Sequence, residues 1–372
     1  MPIDRRALLV GAGAVLLSPG APALGGRSRG EVFAAAGQSA DGGYAAGLFS
    51  LTRGEIARVA LPGRGHDIAV RPGTGACVIF ARSPGRHAVV LHPDRRSAPI
   101  WFETRPDRHF CGHGAFSSDG RLLFASENDY EGARGVIGVR DATDGYRRIG
   151  EFPSDGLEPH DLLLLSDGRT LVVANGGVQT HPDFGGRPLN LASMRPSLSY
   201  IDIRTGDVLE THTLDAELHR LSIRHLSLGE GDRVVFACQH KGPRTERPRL
   251  VGLHRRGEDL RLLEMPSDVL RAMRNYVGSV QVDGTGEIAA ASSPRGGIVV
   301  FFDVAARRYL GQARLDGICG IAPRHRAAGF LLTGIRGALA LCGGGEAFEL
   351  APQAMPGGLA AWDNHAVALG AV

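Results

Sequence analysis

Three histidines recur along this chain at one fixed spacing and in similar local surroundings. His66, His113 and His160 follow one another at intervals of 47 residues (66 to 113, then 113 to 160), and His225 comes after one longer interval. Each of them precedes a short apolar run, a turn that contains glycine and a second apolar run. Such a period is typical of repeat architectures, in which one position of every repeat occupies an equivalent place in the fold. The spacing therefore predicts a repeat protein whose histidines lie at equivalent points of successive repeats.

The repeats predict both the fold class and its closure. Residues 26–372 divide into seven units of about 50 residues, within the range of four-stranded propeller blades. The 53 glycines and 21 prolines, without sustained helical periodicity, favour many short strands and turns. We therefore predict an all-β fold, a seven-bladed β-propeller over residues 26–372. N- and C-terminal strands are expected to share one blade, which removes exposed sheet edges. A pair of β-sandwiches is the alternative that the regular repetition disfavours.

The first 25 residues have the pattern of an export signal. Arg5 and Arg6 precede an apolar run over residues 8–17, and Ala21-Pro22-Ala23 fits a cleavage site. An ordinary secretory signal or a membrane anchor is the alternative, but the run is too short to span a bilayer. The paired arginines favour a twin-arginine signal peptide over residues 1–25. We therefore expect a periplasmic protein without a membrane span.

Charge and cysteine content narrow the functional classes. The formal net charge is +3, from 42 basic and 39 acidic residues, and no basic stripe is interleaved with aromatic residues. We therefore expect no nucleic-acid partner, and we expect a monomer. The five cysteines are an odd number and include no CxxC pair, so the sequence supports neither a zinc ribbon nor a c-type haem site.

The recurring histidines are the first candidates for a functional site. In a propeller the innermost strand of each blade lines a central channel, and these histidines lie at the entry to the predicted inner strands. We expect His66, His113, His160 and His225 to converge at the channel mouth from four adjacent blades. The matching positions of the later units are Ser279, Cys319 and about Gly357.

Further candidate residues lie beside the histidines and in the second loop of each unit, which is expected to open on the same face. Cys238 and His240 are expected to add ligands from the loop above the channel. Asp67 and Asp161 directly follow two of the histidines and are expected to accept the other ring N–H, the usual arrangement behind a metal-bound imidazole. The remaining candidates for this outer shell are Glu127, Asp129, His181 and Cys319.

The convergence itself suggests a metal. Imidazoles within a few ångströms of one another repel if protonated and lose solvation if left unpaired. A transition-metal ion resolves both problems, and a set of histidines suits iron, copper, zinc or nickel, with the affinity order favouring copper. Two alternatives stay open: the histidines brace turns of neighbouring blades, or they act as acids and bases without a metal.

Several motifs together resemble a bacterial family of exported proteins, the domain of unknown function 1513. They are the twin-arginine leader, Gly-His-Asp, Cys-Gly-His-Gly, Glu-Pro-His-Asp and Ala-Cys-Gln-His-Lys-Gly at residues 237–242. The repeat spacing is also similar to that of YVTN and amine-dehydrogenase β-chain propellers. The resemblance implies a periplasmic role in iron or haem handling, with imelysin-type and di-haem proteins of iron-uptake gene sets as partners. It implies no catalytic residues.

The sequence thus predicts a periplasmic β-propeller that binds a transition metal, with iron favoured over copper by the resemblance and haem as a further option. Its expected role is metal acquisition or handover. The first alternative is an enzyme, a metal-dependent oxidoreductase or lactonase-like hydrolase that uses the same site. The second is a scaffold for protein–protein interaction with structural histidines. Whether the protein is an enzyme stays open at this stage.

Overall fold

The fold consists of seven small antiparallel sheets arranged in a ring. The computed structural model describes residues 31–94, 97–325, 328–343, 348–354 and 359–371. Within these ranges 28 strands form seven four-stranded sheets. The predicted all-β, seven-bladed β-propeller is therefore confirmed. The predicted signal peptide over residues 1–25 lies outside the described residues.

The strands of each blade follow one another along the chain. The first blade contains β1 (Glu31–Ser39), β2 (Tyr44–Ser50) and β3 (Gly54–Leu61). The second contains β4 (Gly65–Val70), β5 (Cys77–Ala81), β6 (His87–Leu91) and β7 (Ile100–Glu103). The third contains β8 (Arg108–Phe116), β9 (Leu122–Asp129), β10 (Arg134–Asp141) and β11 (Arg147–Pro153). The fourth contains β12 (Pro159–Leu164), β13 (Thr170–Asn175), β14 (Ser197–Asp202) and β15 (Val208–Thr213).

The remaining blades have the same order. The fifth contains β16 (Leu221–Gly229), β17 (Arg233–His240), β18 (Val251–His254) and β19 (Arg261–Leu262). The sixth contains β20 (Ser279–Val282), β21 (Ile288–Ser293), β22 (Ile298–Asp303) and β23 (Arg308–Arg314). The seventh contains β24 (Ile318–Pro323), β25 (Phe330–Gly334), β26 (Leu339–Cys342) and β27 (Leu350–Pro352). Last comes β28 (Leu359–Ala371), which pairs with β1 and completes the first blade.

In six blades the strand that comes first along the chain lies innermost, and in the first blade β28 does. β4, β8, β12, β16, β20, β24 and β28 contact one another in turn and close into a ring. The predicted sharing of one blade by the two chain ends is confirmed, because β28 pairs antiparallel with β1. The inner edge of each sheet is therefore short and protected inside the ring. The residues of β28 therefore line the axis.

Large side chains fill the spaces between adjacent blades. Phe80 of β5 is fully buried, and its ring centroid lies 5.4 Å from that of Phe110 of β8 in the next blade. Gly114 faces the Phe80 ring, where a Cβ atom would lie 2.5 Å from Phe80 Cζ. This close approach of blade to blade requires glycine. The second and third blades therefore pack tightly against each other at this point.

Helices are short in this fold. The sequence predicts a helix over residues 267–275 with Ser267 as its cap, but α1 spans Ser267–Ala272 and Pro266 occupies the cap position without a side-chain hydrogen bond. Short 3-10 segments span Pro182–Phe184, Ala216–Leu218 and Glu230–Asp232. Among the described residues, none of the helices has the length and apolar character needed to cross a membrane.

Replacing Phe80 by alanine should destabilise the propeller. We expect the free energy of unfolding to fall by about 3–5 kcal/mol, because the change leaves a cavity between two blades. The matched control is Phe184→Ala, since that ring is 57% exposed, and its effect should stay within about 0.5 kcal/mol. Urea denaturation followed by tryptophan fluorescence measures both. Equal losses in the two variants would contradict the blade packing described here.

Candidate metal centre

Five histidine rings meet on the propeller axis, each from a different inner strand. His66 lies in β4, His113 in β8, His160 in β12, His225 in β16 and His365 in β28. All five are buried, and the centroids of the contacting rings lie 4.7 to 5.7 Å apart. The structure thus brings the four recurring histidines together and adds a fifth. We call these five residues the histidine centre.

The rings of the histidine centre have unequal positions. His66, His160, His225 and His365 form a ring in which each imidazole contacts the next, at centroid distances of 4.7 to 5.7 Å. His113 contacts all four, at 4.9 to 5.7 Å. These distances place His113 out of the plane of the other four, at the apex of a pyramid. Each of the other four rings therefore lies against His113.

Irregular strand pairing turns these side chains toward the axis. The pairing register shifts around each histidine, and a bulge of this kind re-aims a side chain. The shifts fall between Gly65 and Ile68, Phe110 and Gly114, Pro159 and Asp161, Ile223 and His225, and opposite Ala35–Gly37 in β28.

A glycine makes room for the first contact between rings. Gly112, which precedes His113, has a φ of 108°, a region that side chains rarely adopt, and a Cβ atom there would lie 2.4 Å from His66 Cδ2. The Cys-Gly-His-Gly motif therefore has a steric reason, because its first glycine lets two imidazoles approach. The motif belongs to the centre itself.

Two carboxylates contact the apical histidine. Asp67 Oδ2 lies 3.0 Å and Asp161 Oδ1 lies 3.2 Å from His113 Nδ1. The ring that both aspartates contact is thus His113, not the histidine that each of them follows along the chain. β4 and β12 flank β8, so both carboxylates reach the histidine of the strand between them. A third carboxylate, Asp363, lies 3.6 Å from His66 Nδ1, and sequence reasoning missed it.

The carboxylates separate the protonation state of His113 from that of the other rings. Burial lowers the pKa of His113, but Asp161 and Asp67 outweigh burial and raise the pKa to about 10. Burial lowers the pKa of His365 to about 4 and holds the pKa values of His66, His160 and His225 well below the usual range, with neighbouring cationic groups adding to the effect. At neutral pH the centre therefore holds four neutral imidazoles around one imidazolium.

Most ring nitrogens of the centre have no hydrogen-bond partner among the described residues. These buried atoms are Nδ1 of His66, Nε2 of His113, Nε2 of His160, both nitrogens of His225 and Nε2 of His365. A buried polar atom without a partner costs about 1–3 kcal/mol, and folded proteins keep few of them. Struts that brace turns would be hydrogen-bonded. The set of ring nitrogens without a hydrogen-bond partner instead fits the ligand atoms of a metal site.

The donor atoms are close enough to share an ion. One nitrogen from each of His66, His113 and His160 lies within 4.8 Å of the other two, and the same holds for His113, His225 and His365. With its Nδ1 turned to the carboxylates, His113 can offer Nε2 to a metal. His160 differs, because Arg224 lies 3.2 Å from its Nδ1 and donates to it. That leaves the proton of a neutral His160 ring on Nε2, so His160 is the weakest donor of the five.

A cavity of about 610 Å³ opens onto the histidine centre. His66, His160 and His225 line it, whereas His113 and His365 do not. We call this cavity the cup. Burial, with Arg224 adding to it, lowers the pKa of Lys241 in its wall to about 7. The cup gives a small molecule access to three rings of the centre while the apical histidine stays shielded.

The two further predicted ligands lie away from the centre. Cys238 is fully buried in the core between blades, and its backbone N–H bonds to the carbonyl of Leu250. His240 Nε2 lies 2.7 Å from Glu246 Oε2. The prediction of Cys238 and His240 as ligands is therefore corrected. Both lie at the end of β17, which is the second strand of its blade and not the inner one.

Glu127 and Asp129 are also placed differently from the prediction. Glu127 is fully buried among arginines, with Arg148 at 3.0 Å and Arg140 at 3.7 Å. Asp129 pairs with Arg134 at 2.8 Å. Both lie in β9, the second strand of its blade, whose side chains face the neighbouring sheet rather than the axis. We correct their assignment to the outer shell, since both carboxylates bind arginine.

The last two predicted outer-shell residues lie near the centre without touching it. His181 lines the cup and lies 3.4 Å from Glu131. Cys319 is in β24, at one of the two positions of the ring that lack histidine, and its thiol contacts the carbonyl of Asp363 at 3.0 Å. Ser279 occupies the other such position in β20. Neither His181 nor Cys319 contacts a ring of the centre in the described contacts.

The residue that sequence reasoning missed is His365. The expected match in the last unit, Gly357, lies outside the described residues, and β28 supplies His365 instead. Asp363-Asn364 precedes this histidine, rather than the glycine or proline found before His66, His113 and His160. β28 spans Leu359–Ala371 as one continuous strand. A continuous closing strand would have pointed to His365.

The chain is similar in sequence to a known protein family. The family described as "Protein of unknown function (DUF1513)" matches residues 59–369. The chain belongs to the DUF1513 family. The matched range contains all five histidines of the centre and Asp67, Asp161 and Asp363. The DUF1513 match confirms the predicted resemblance and carries no statement on imelysin-type or di-haem partners.

Other comparisons bear on the fold of this DUF1513 member. No curated protein matches the chain in sequence. A chain of the structure titled "Crystal Structure of Mitotic Checkpoint Complex" aligns with a TM-score of 0.57 and 10% identity, over 78% of this chain and 79% of that chain. At this identity the likeness shows the fold alone. Since 1121 solved chains match, the fold is too widespread to indicate a function.

In the metal-free protein, His113 should stay protonated up to about pH 10. Its folded pKa lies above the ordinary value of 6.5, so protonation stabilises the folded state. That contribution is complete below about pH 6.5 and is lost as pH rises through about 10. Nitrogen-15 NMR of the ring atoms after chelator treatment measures the titration. Asp67→Asn removes one carboxylate and should lower the pKa of His113; a ring already neutral at pH 7 in the unaltered protein would contradict the assignment.

Proposed function

We propose that this protein binds a transition-metal ion at the histidine centre and serves in metal acquisition or handover in the periplasm. The observation that carries the proposal is the set of buried ring nitrogens without partners, which a bound ion would satisfy. The donor chemistry supports it, because imidazoles backed by carboxylates suit iron, copper, zinc or nickel rather than magnesium or calcium.

His113 would be the central ligand. Asp67 and Asp161 hold a proton on its Nδ1, which fixes the ring orientation and leaves Nε2 to the ion. His66, His225 and His365 would complete the set, with His160 joining only if Arg224 turns fully to its other partner, Glu158. The ion would take the place of the Nε2 proton of His113. Metal binding therefore replaces the Nε2 proton of His113 with a metal ion, while the rings of the histidine centre keep their positions.

Iron is the first candidate metal and copper the second. Iron follows from the resemblance to exported proteins of iron-uptake gene sets, and copper follows from the general affinity order of nitrogen sites. Haem fits less well, because rings 4.7 to 5.7 Å apart leave no room for a porphyrin between them. The periplasmic location rests on the twin-arginine pattern of residues 1–25. Imelysin-type and di-haem proteins are proposed as partners on the resemblance alone.

A second candidate function is a metal-dependent oxidoreductase or lactonase-like hydrolase. The cup favours it, because a catalytic metal needs an open position and space for a substrate. Turnover that rises in proportion to bound metal would favour the enzyme, with oxidation or lactone hydrolysis as the readout. A metal centre without turnover favours acquisition or handover.

Metal content should depend on the histidine centre. Protein prepared from the periplasm and analysed by mass spectrometry is expected to carry about one metal ion per chain. His113→Ala should abolish tight binding, because it removes the ring that contacts all the others. Asp67→Asn leaves every ligand in place and should weaken binding by about 10- to 100-fold, as changes behind a metal-bound histidine usually do.

The matched control is His87→Ala, since His87 lies in β6, outside the centre, and packs near Trp101. Its metal content should equal that of the unaltered protein. Circular dichroism of each variant separates loss of a ligand from loss of the fold. Unchanged metal content in a folded His113→Ala variant would refute the metal centre and favour the interaction scaffold.

A further inference from the structure

The charge of the cup points to the form in which a metal reaches the centre. Its lining contains four cationic side chains and one carboxylate, Glu158. The cations come from three blades: Arg82 follows β5, Arg224 lies in β16, Lys241 follows β17, and Arg295 lies between β21 and β22. A cleft lined by one sign of charge concentrates ions of the opposite sign. The cup therefore favours anions.

Three of these four side chains are free to bind a ligand, and one of them, Lys241, is only partly protonated at neutral pH because its pKa is about 7. Glu158 pairs with Arg224 at 2.7 Å and so neutralises that guanidinium. Lys241 Nζ donates to the neutral amide oxygen of Gln239 at 3.0 Å. Arg295 is exposed and stacks on the Tyr276 ring at 4.3 Å, with no carboxylate partner among the described residues.

Arg82 offers an unused donor. Its Nη1 is buried and has no hydrogen-bond partner among the described residues. The nearest carboxylate oxygen, Asp363 Oδ1, lies at 3.8 Å, which is beyond hydrogen-bond length. Asp363 is already engaged by Arg64. An anion in the cup would satisfy the Arg82 guanidinium, as carboxylates commonly do.

The size and spread of the cup favour an organic anion with several charges. About 610 Å³ is far more than a single inorganic ion occupies, and cations on three blades match charges that are separated in the ligand. The lining also lacks a helix N-terminus of the kind that binds phosphate. Its one helical element, residues 182–184, starts with proline, and the His181 ring already accepts from the Asp183 N–H.

We propose that the cup binds a small polycarboxylate anion above the histidine centre, and that the metal is exchanged as the chelate of such an anion. The second part rests on the proposed function. Carboxylates of the anion would lie among Arg82, Lys241 and Arg295, while its metal faces His66, His160 and His225 on the floor of the cup. A bare divalent cation would instead meet the positive charge of the wall.

A neighbouring cavity offers the main competing location for an anion. It has about 510 Å³ and is lined by four arginines without a carboxylate: Arg244, Arg247, Arg274 and Arg295. Arg295 is common to both cavities. We call this cavity the side pocket. Variants that alter one cavity only can therefore assign the anion.

The first test uses metal-free protein and tricarballylate, a tricarboxylate that lacks the chelating hydroxyl group of citrate. Isothermal titration calorimetry should detect binding that weakens as salt is added. Acetate should bind far more weakly, and pyrophosphate should not bind better than tricarballylate. Tricarballylate that fails to bind, or pyrophosphate that binds better, would overturn the polycarboxylate assignment.

Variants then locate the site. Lys241→Met alters the cup alone and should weaken tricarballylate binding at least about tenfold, the usual cost of losing a hydrogen bond to a charged group. Arg295→Gln should do the same. Arg53→Gln changes an exposed arginine between β2 and β3 and is the control. Binding that survives Lys241→Met but is lost in an Arg244→Gln/Arg247→Gln variant would place the anion in the side pocket and overturn the proposal.

A second test concerns metal exchange and separates the two proposals. Loading of the centre from ferric citrate should slow at least about tenfold in Lys241→Met/Arg295→Gln. Loading from ferrous aqua ions should not slow, because the removed charges repel a bare cation. Equal slowing from both sources would overturn exchange as a chelate. Tricarballylate binding by protein that takes up no metal would refute the proposed function and leave the anion site standing. Metal binding without tricarballylate binding would refute the anion site and leave the proposed function standing.

Discussion

The histidine centre depends on the burial of five imidazoles around one axis. Packing polar rings together away from water costs free energy unless their nitrogens find partners. The propeller imposes this arrangement, because its seven inner strands must meet at the axis and five of them carry a histidine there. Apolar packing between the blades, as at Phe80 and Phe110, offsets the cost. A site of this kind therefore needs a large, closed fold around it.

The centre is asymmetric in charge as well as in shape. Asp67 and Asp161 concentrate their negative charge on one ring, so a single proton is held tightly at His113 while the other four imidazoles stay neutral. Neutral rings are the form that binds metals. Burial therefore keeps the ring of four in the form that binds metals, while the pair of carboxylates keeps a positive charge at the apex, where an ion could replace it.

The sequence was sufficient for the fold and for most of the centre, because both depend on repetition. Apolar runs between turns predict blades, and an interval of 47 residues predicts that His66, His113 and His160 are equivalent. Outer strands such as β11 and β19 are largely exposed, so their sequences contain little of the apolar pattern that predicts a strand. His365 could not be found in this way, since the closing strand departs from the repeat. The partners of Asp67 and Glu127 depend on which blade lies beside them, which spacing along the chain does not encode.

Charge changes sign along the propeller axis. The cup carries unpaired cations in its wall and the histidine centre lies at its floor. Asp67 and Asp161 contact Nδ1 of His113, which does not line the cup, and Asp67 also lies 3.9 Å from His365 Nδ1. A bare cation entering from the cup would cross an unfavourable potential before it reached the carboxylates. A chelate would not, because its anionic part stays among Arg82, Lys241 and Arg295 while its metal points toward the negative end. The same field that repels free metal ions would therefore orient a bound chelate with its metal facing the histidines.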